Sequence, residues 1–509
     1  MKNKILSILS EISTNPVYLS KFTLLLIVSF FCFGFGGEIT LAQNPDLKRT
    51  VHWYFGNKCG LDFSSGHPVA DTSGKLACQS NSAVMSDTSG NLLFYTDGKT
   101  VWNKQHVMMQ NGDTIGVALY AEPRNKCVIV PQPGNDSIYY IFTVDGYVNG
   151  KGHGLMYSTV NMNKNSGLGS VMIKAWQLFT PAAEEVAATK DASGCGYWIA
   201  GHERHNDKFR AYHLTQTGLD TIPVFSKAGT DYSIPQQDYA LSGGRNLKFS
   251  PKGNLAAVLV EYDWVAVHKG FDFIDVLQFD NISGIFSTLV SLQLDTTTSL
   301  GLDFSPNGSL FYQESGYWRP KIYQYDLSNI DSIAIINSKQ KVFTSSLYEI
   351  AGDFLIGMDG RLFSCAQVGG DSLSYISNPD VIGVGCGVHK GGIPLNGRAP
   401  NQGLPNFVSN FLINDAAFNC KPNGIEESIP ENDILFYPNP ANEEIIIKTD
   451  IVIRKIEVLD MLGRILFSKQ IHSAEFQFNC KGFPNGIYLL KIQRVDYKIQ
   501  TNKISINHN

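Results

Sequence analysis

The sequence predicts an all-β chain: a seven-bladed β-propeller followed by a small Ig-like β-sandwich. Three observations lead there. A turn rich in Asp, Asn, Ser and Gly, followed by an apolar or aromatic strand, recurs between Asp87 and Phe363. Charged residues are only 17 % of the chain while aromatic residues reach 11 % and glycines number 47, a balance that suits an exported protein of many strands and turns. From Ile434 onward, short runs alternate apolar and polar side chains, as half-buried strands do.

The repeats set the architecture of the long first part. They begin at Asp87, Asn135, Asp191, Phe249, Phe304 and Met358, roughly 50–60 residues apart in most cases. Each reads as a tight turn needing positive φ, supplied by Gly or Asn, that joins two strands of one sheet. A single such sheet cannot bury both faces, so the units are expected to stack around an axis. Residues 50–419 at roughly 53 residues per unit give seven blades, with six and eight also compatible. The seventh is expected from the segment near Asp380 to Phe418, closed by the N-terminal strand Val51–Phe55.

The ends of the chain carry an address. Lys2, Lys4 and Lys21 precede an apolar run from Phe22 to Phe35, and small residues at Thr40 and Ala42 suit a signal-peptidase site. The run is too short to span a bilayer comfortably, so residues 1–42 read as a signal peptide. The propeller is expected over 43–419 and a Pro/Gly/Asn-rich acidic linker over 420–433. The second domain then covers 434–509. Beyond the signal peptide the chain has eight cysteines, and an oxidising compartment favours pairing. Cys59–Cys78 and Cys365–Cys386 are the nearest local pairs. The absence of CxxC argues against a zinc ribbon or a thioredoxin-like centre.

In the second domain, Arg454–Asp460 alternates almost strictly, Leu462-Gly463-Arg464 is a turn, and Ile465 begins a return strand. Pro438-Asn439-Pro440 lacks two amide donors and must be a bend at an edge. About six or seven short strands are expected in this length. The YPNP opening (Tyr437–Pro440), the DMLGR turn (Asp460–Arg464), the PNGIYLLKI strand (Pro484–Ile492) and the closing NKISI strand resemble the C-terminal sorting domain of the type IX secretion system. On that resemblance the sorting signal includes Pro438, Asn439, Pro440, Gly463, Gly486, Tyr488 and Lys503. It implies export across an outer membrane by the type IX machinery. It also implies removal of the domain, with the remainder anchored to surface lipopolysaccharide or released. Trp53–Asn57, Gly60–Phe63, Asn91–Gly98, Ile129–Gly134 and Gly403–Phe407 resemble the WD40-like propellers that precede such domains in surface proteins. That second resemblance implies a fold and a location, and no reaction.

Recognisable chemistry is sparse. In Gly201-His202-Glu203-Arg204-His205 the histidines are three apart on strand-like flanks, so they point to opposite faces and do not form the helical zinc-protease pattern. Polar residues at such a strand end are nonetheless candidates for ligand contact, and His202 and Glu203 are taken as such. The glycine-rich Gly383–Gly387 stretch lacks the spacing and the strand–helix setting of a phosphate cradle, and no motif calls for a cofactor. Asp87, Asp97, Asp145, Asp191, Asp263, Asp303 and Asp353 could supply paired carboxylates, but most sit in turns where Asp caps its own backbone. Tryptophans recur through the ring; Trp264 and Trp318, after their apolar strands, are the candidates for an exposed aromatic rim.

A net charge of −5 without a basic stripe argues against nucleic acid as a partner. Three functions remain open. One is a surface or secreted module that binds a protein or glycan. Another is an extracellular hydrolase or lyase acting on polysaccharide or peptide in the propeller channel. The last is a structural part of an envelope or motility assembly.

Overall fold

The computed structural model describes residues 44–78, 82–116, 127–145, 152–231, 243–261, 273–294, 299–315, 319–345, 352–365, 370–420, 434–460, 464–494 and 499–508. The expected signal peptide, most of the expected linker, and Asp263, Trp264, Trp318 and Gly463 lie outside them. Among the described residues no helix is long and apolar enough to cross a membrane. The chain divides into two compact units, 1–422 and 423–509.

In the first unit, seven antiparallel sheets follow one another along the chain and form the β-propeller. Blades 1 to 7 span 52–70, 83–103, 127–179, 187–227, 243–293, 299–344 and 354–394. Within blades 2 to 7 the first strand in sequence is innermost, and each inner strand touches that of the next blade. The six recurrent turns are where the sequence puts them, between the first and second strands of blades 2 to 7. Each holds a glycine at positive φ: Gly90, Gly134, Gly194, Gly253, Gly308 and Gly360. The polar residues of these turns cap the backbone. Asp87 Oδ1 accepts from the amides of Ser89 and Asn91, Asp191 Oδ1 from that of Ser193, and Ser250 and Ser305 Oγ from those of Leu255 and Leu310.

Alternation along the strands feeds apolar side chains between neighbouring blades. The cluster joining the chain ends holds Trp53, Phe63, Phe363 and Phe407, with the Trp53 ring 5.4 Å from Phe363 and 6.4 Å from Phe407. Trp198 is core, 4.3 Å from the stacked ring of His213.

Ring closure differs from the sequence expectation. Blade 7 is built wholly from 354–394, and His52–Phe55 pairs only with Cys59–Asp62 of blade 1. Among the described residues no strand is shared between the two ends, because the residues after 394 do something else. They leave the sheet and cross the axis.

Among the described residues the second unit has five strands, two of them long: Ile434–Tyr437, Glu444–Leu459, Ile465–Asn479, Gly486–Arg494 and Ile499–Ile506. The expected six or seven short strands are thus fewer and longer. Glu444–Leu459 is 16 residues long; its first half pairs with Ile434–Tyr437 and its second half with Gly486–Arg494, while Ile465–Asn479 runs along both. One long strand therefore serves both halves of the sandwich, where two short ones were expected. Ile445, Ile447, Ile456, Val458, Leu490 and Ile504 fill the interior.

Candidate functional site

The segment 396–420 forms a strap through the propeller axis. At its entry Gln402 O accepts from Asp353 N–H, at the start of the inner strand of blade 7. Asn406 then spans three blades: its N–H donates to Ser82 O, and its Nδ2 to Cys127 O (3.2 Å) and Val186 O (3.0 Å). These carbonyls lie at or just before the starts of inner strands. Four residues on, Asn410 reaches the opposite ends. Its Oδ1 accepts from Thr189 Oγ1 (2.7 Å) and Lys190 N–H (2.6 Å), and its Nδ2 donates to Pro251 O (2.9 Å). The strap leaves at Phe418, whose carbonyl accepts from Lys190 Nζ, and its last residue, Cys420, is disulfide-bonded to Cys195 in the first turn of blade 4.

The sequence suits this path. Leu404, Phe407, Val408, Phe411 and Leu412 are buried and pack into the blade cores, while Asn406 and Asn410 turn amides toward inner-strand carbonyls and amides that have no ladder partner on the axial side. The N-terminus docks on the same strap. Asn44 Nδ2 donates to Asn410 O and Ile413 O, and Asp46 bridges Lys190 (2.6 Å) and Arg49 (2.6 Å). Burial opposes ionisation of Asp46, but Lys190 and Arg49 outweigh it and hold the carboxyl below the usual range.

Against the strap lies a cavity of about 20 Å³ bordered by Lys248, Phe249, Asp303, Leu355, Asn406 and Phe407, room for a single water. Lys248 Nζ donates to Phe354 O and stands 3.5 Å from Asp353 Oδ2 and 3.9 Å from Asp303 Oδ2. Asn246 Nδ2 adds a bond to Asp353 Oδ1. Two of the seven carboxylates singled out in the sequence thus meet at the axis, and both are buried. Burial pushes the Asp303 carboxyl up to about 7, against the pull of Lys248. Glu185, fully buried between blades 4 and 5, is raised well above the usual range by burial and then by Asp275. Asp87, Asp97 and Asp191 cap turns, and Asp145 holds His153 at 2.7 Å.

The other sequence candidates do not converge. His202 ends the second strand of blade 4, 1 % exposed, with its ring 4.4 Å from Phe209; burial pushes its imidazole down to about 4. Glu203, one residue on, is partly exposed and held by Arg210 Nη2 (2.6 Å) and Asn206 Nδ2 (3.0 Å). Among the described residues no group of His, Cys, Asp and Glu is arranged to hold a metal. The two local cysteine pairs are not formed: Cys59, Cys78, Cys365 and Cys386 are thiols, and the disulfide is the long-range Cys195–Cys420. The strap was missed because it has no strand periodicity; its signal is Asn406 and Asn410 in an apolar stretch.

In the second unit the separate sequence motifs become one structure. Asn439 Oδ1 accepts from Ser505 N–H (2.7 Å), its Nδ2 donates to Lys503 O, and Ala441 N–H donates to Ser505 O. The PNP bend is therefore docked on the final NKISI strand, whose Lys503 side chain is exposed. Tyr488 donates its hydroxyl to Pro484 O, and Gly486 pairs with Ile506. Residues 435–507 match the family model described as a secretion system C-terminal sorting domain. The C-terminal unit is a type IX secretion sorting domain. It sends the protein to the cell surface or the extracellular space and engages the type IX secretion machinery.

Among solved structures the chain is similar to PorZ of Porphyromonas gingivalis, described as an essential surface component of the type IX secretion system. Identity there is 10 %, the match covers 90 % of this chain and 74 % of that one, and the TM-score is 0.25. It is also similar to a Lactobacillus plantarum protein (13 % identity, 69 % and 97 % covered, TM-score 0.39). A third is the periplasmic gluconolactonase of Pseudomonas aeruginosa (13 %, 60 % and 93 %, TM-score 0.31). No curated protein matches the chain.

Proposed function

We propose that the propeller is the working part of a surface-delivered binding protein, acting through its outer faces on a protein or glycan without turning it over. The observation that carries this reading is the filled axis. A hydrolase in the channel needs carboxylates about 5–10 Å apart facing an open pocket. Here Asp303 and Asp353 are 3 % and 0 % exposed, committed to Lys248 and Asn246, beside a cavity of about 20 Å³. Contact with a large partner then falls to the outside of the ring. There Trp176 is 60 % exposed on the outermost strand of blade 3, with Met172 at 55 % and Ile173 at 39 %. Exposed aromatic and apolar faces suit sugar rings and protein anchors alike.

The test uses the mature full chain on immobilised glycans and extracellular proteins, with turnover of the same polysaccharides followed in parallel. Saturable binding without product, weakened by Trp176→Ala, is the expected result. Polysaccharide turnover that disappears in Asp303→Asn would overturn the reading. Delivery is tested separately: deletion of 434–509 is expected to leave the ring in the periplasm.

A further inference from the structure

We infer that residues 396–420 are a separable strap, held shut by the Cys195–Cys420 bond, and that the axial channel opens by release of this strap while the blades stay folded. Three observations converge on it. First, the strap forms no strand ladder with any blade among the described residues, whereas every blade keeps its own. It is held by side-chain amides and a few single backbone bonds, at Gln402, Asn406 and Asn410, and by Leu404, Phe407, Val408, Phe411 and Leu412 packed into the blade cores, none of them part of a ladder. A segment attached in this way can leave as a unit without breaking the ladders beneath it. Second, the covalent bond sits at the strap's far end, outside the channel. Cys420 is exposed and Cys195 half-buried, so the lock can be reached in the folded protein. Third, the strap covers charged groups that an ordinary apolar core would not contain. Lys248 and Asp303 border the cavity beside the strap, and Asp353 stands behind Lys248 at 3.5 Å. With the strap gone they would line an open, hydrated channel of mixed charge.

The lock is also placed to matter. The sorting domain follows Cys420 in the chain, so the covalent path from that domain enters the strap at the residue that is bonded to blade 4 at Cys195.

Amide hydrogen exchange tests the proposal on the mature full chain. In the oxidised protein, peptides covering 403–412 should exchange as slowly as the inner strands of blades 5 and 6. In the Cys195→Ser/Cys420→Ser variant the strap should exchange at least ~10-fold faster while those inner strands keep their protection. A second arm avoids the refolding of a variant: the folded wild-type chain is treated with a water-soluble phosphine, and reduction of the pair is verified by mass. It should reproduce the selective loss at 403–412. Unchanged protection of the strap would overturn the proposal. So would a uniform loss across strap and blades, since the lock would then serve the whole ring.

Discussion

Replacing Asp303 by Asn should make the ring more stable at pH 8 and leave it nearly unchanged at pH 4. The carboxyl is buried at the axis, where its Oδ1 accepts from Phe304 N–H and its Oδ2 faces Lys248 at 3.9 Å. Its folded pKa is about 7, against 3.8 for the free group. The sign follows from linkage. The folded state holds the proton more tightly, so the group costs nothing below pH 3.8 and an increasing amount between pH 4 and 7. Above that the cost is constant. A shift of about three units is worth about 4 kcal/mol. Asparagine keeps the shape and the acceptor for Phe304 but cannot ionise. Urea unfolding at 25 °C from pH 4 to 8 is the assay. All six tryptophans precede residue 319 in the sequence and none falls in the sorting domain, so their fluorescence is silent on that domain. The stability difference between variant and wild type should climb from near zero to about 4 kcal/mol. A difference that stays flat within about 1 kcal/mol across this range would refute the reasoning.

The remaining predictions use the same unfolding assay. His202, held at a pKa of about 4 by burial, contributes stability that is complete above pH 6.5 and lost as pH falls toward 4. His202→Gln should remove an acid-side loss of about 3 kcal/mol, and an unaltered acid limb would count against it. Asn406→Ala strands the carbonyls of Cys127 and Val186 and should cost about 3 kcal/mol; a loss below about 1 kcal/mol would mean that water replaces the amide. Trp198→Ala should cost about 3–5 kcal/mol, as large core truncations do. Trp176→Ala, on the exposed edge, should change stability by less than about 0.5 kcal/mol.

Local rules made the blades legible. Asp87-Thr88-Ser89-Gly90-Asn91 carries its own turn: the Asp caps two amides and the Gly takes positive φ, and neither depends on anything distant. The same holds for the turns at Gly194, Gly253 and Gly308, so six blades could be placed by inspection. The sorting domain was legible for a similar reason, although its strand count was not. Nothing in Glu444–Leu459 marks where pairing passes from one half of the sandwich to the other, because that exchange is set by partners. The axis was illegible throughout. Asp303 and Asp353 look like any turn or strand-end aspartate, and they meet only because blades 6 and 7 each present one to Lys248 of blade 5. Cysteine pairing failed on the same ground. Cys195 and Cys420 are 225 residues apart, and proximity in sequence favoured local pairs that are not formed.

This division between local and distant contacts bears on how the ring is completed. Every ladder in blades 1 to 7 joins strands of a single blade and can form as its own segment collapses. Closure cannot. The bonds from Asn44 to Asn410 and Ile413 span 366 and 369 residues, and those from Asn406 to Cys127 and Val186 span 279 and 220. A shared closing strand would bring one more ladder; the strap brings amides that each bridge blades already standing. Asn406 has its partners only once blades 2, 3 and 4 are adjacent, and Asn410 only once blades 4 and 5 are. Strap docking is therefore conditional on the ring. The Cys195–Cys420 bond, at the strap's last residue, is conditional on docking. A disulfide so placed forms in a propeller that has already assembled, and it closes a loop whose chain-entropy contribution is about 5 kcal/mol. Its stabilisation is directed at a part of the ring that has no ladder of its own.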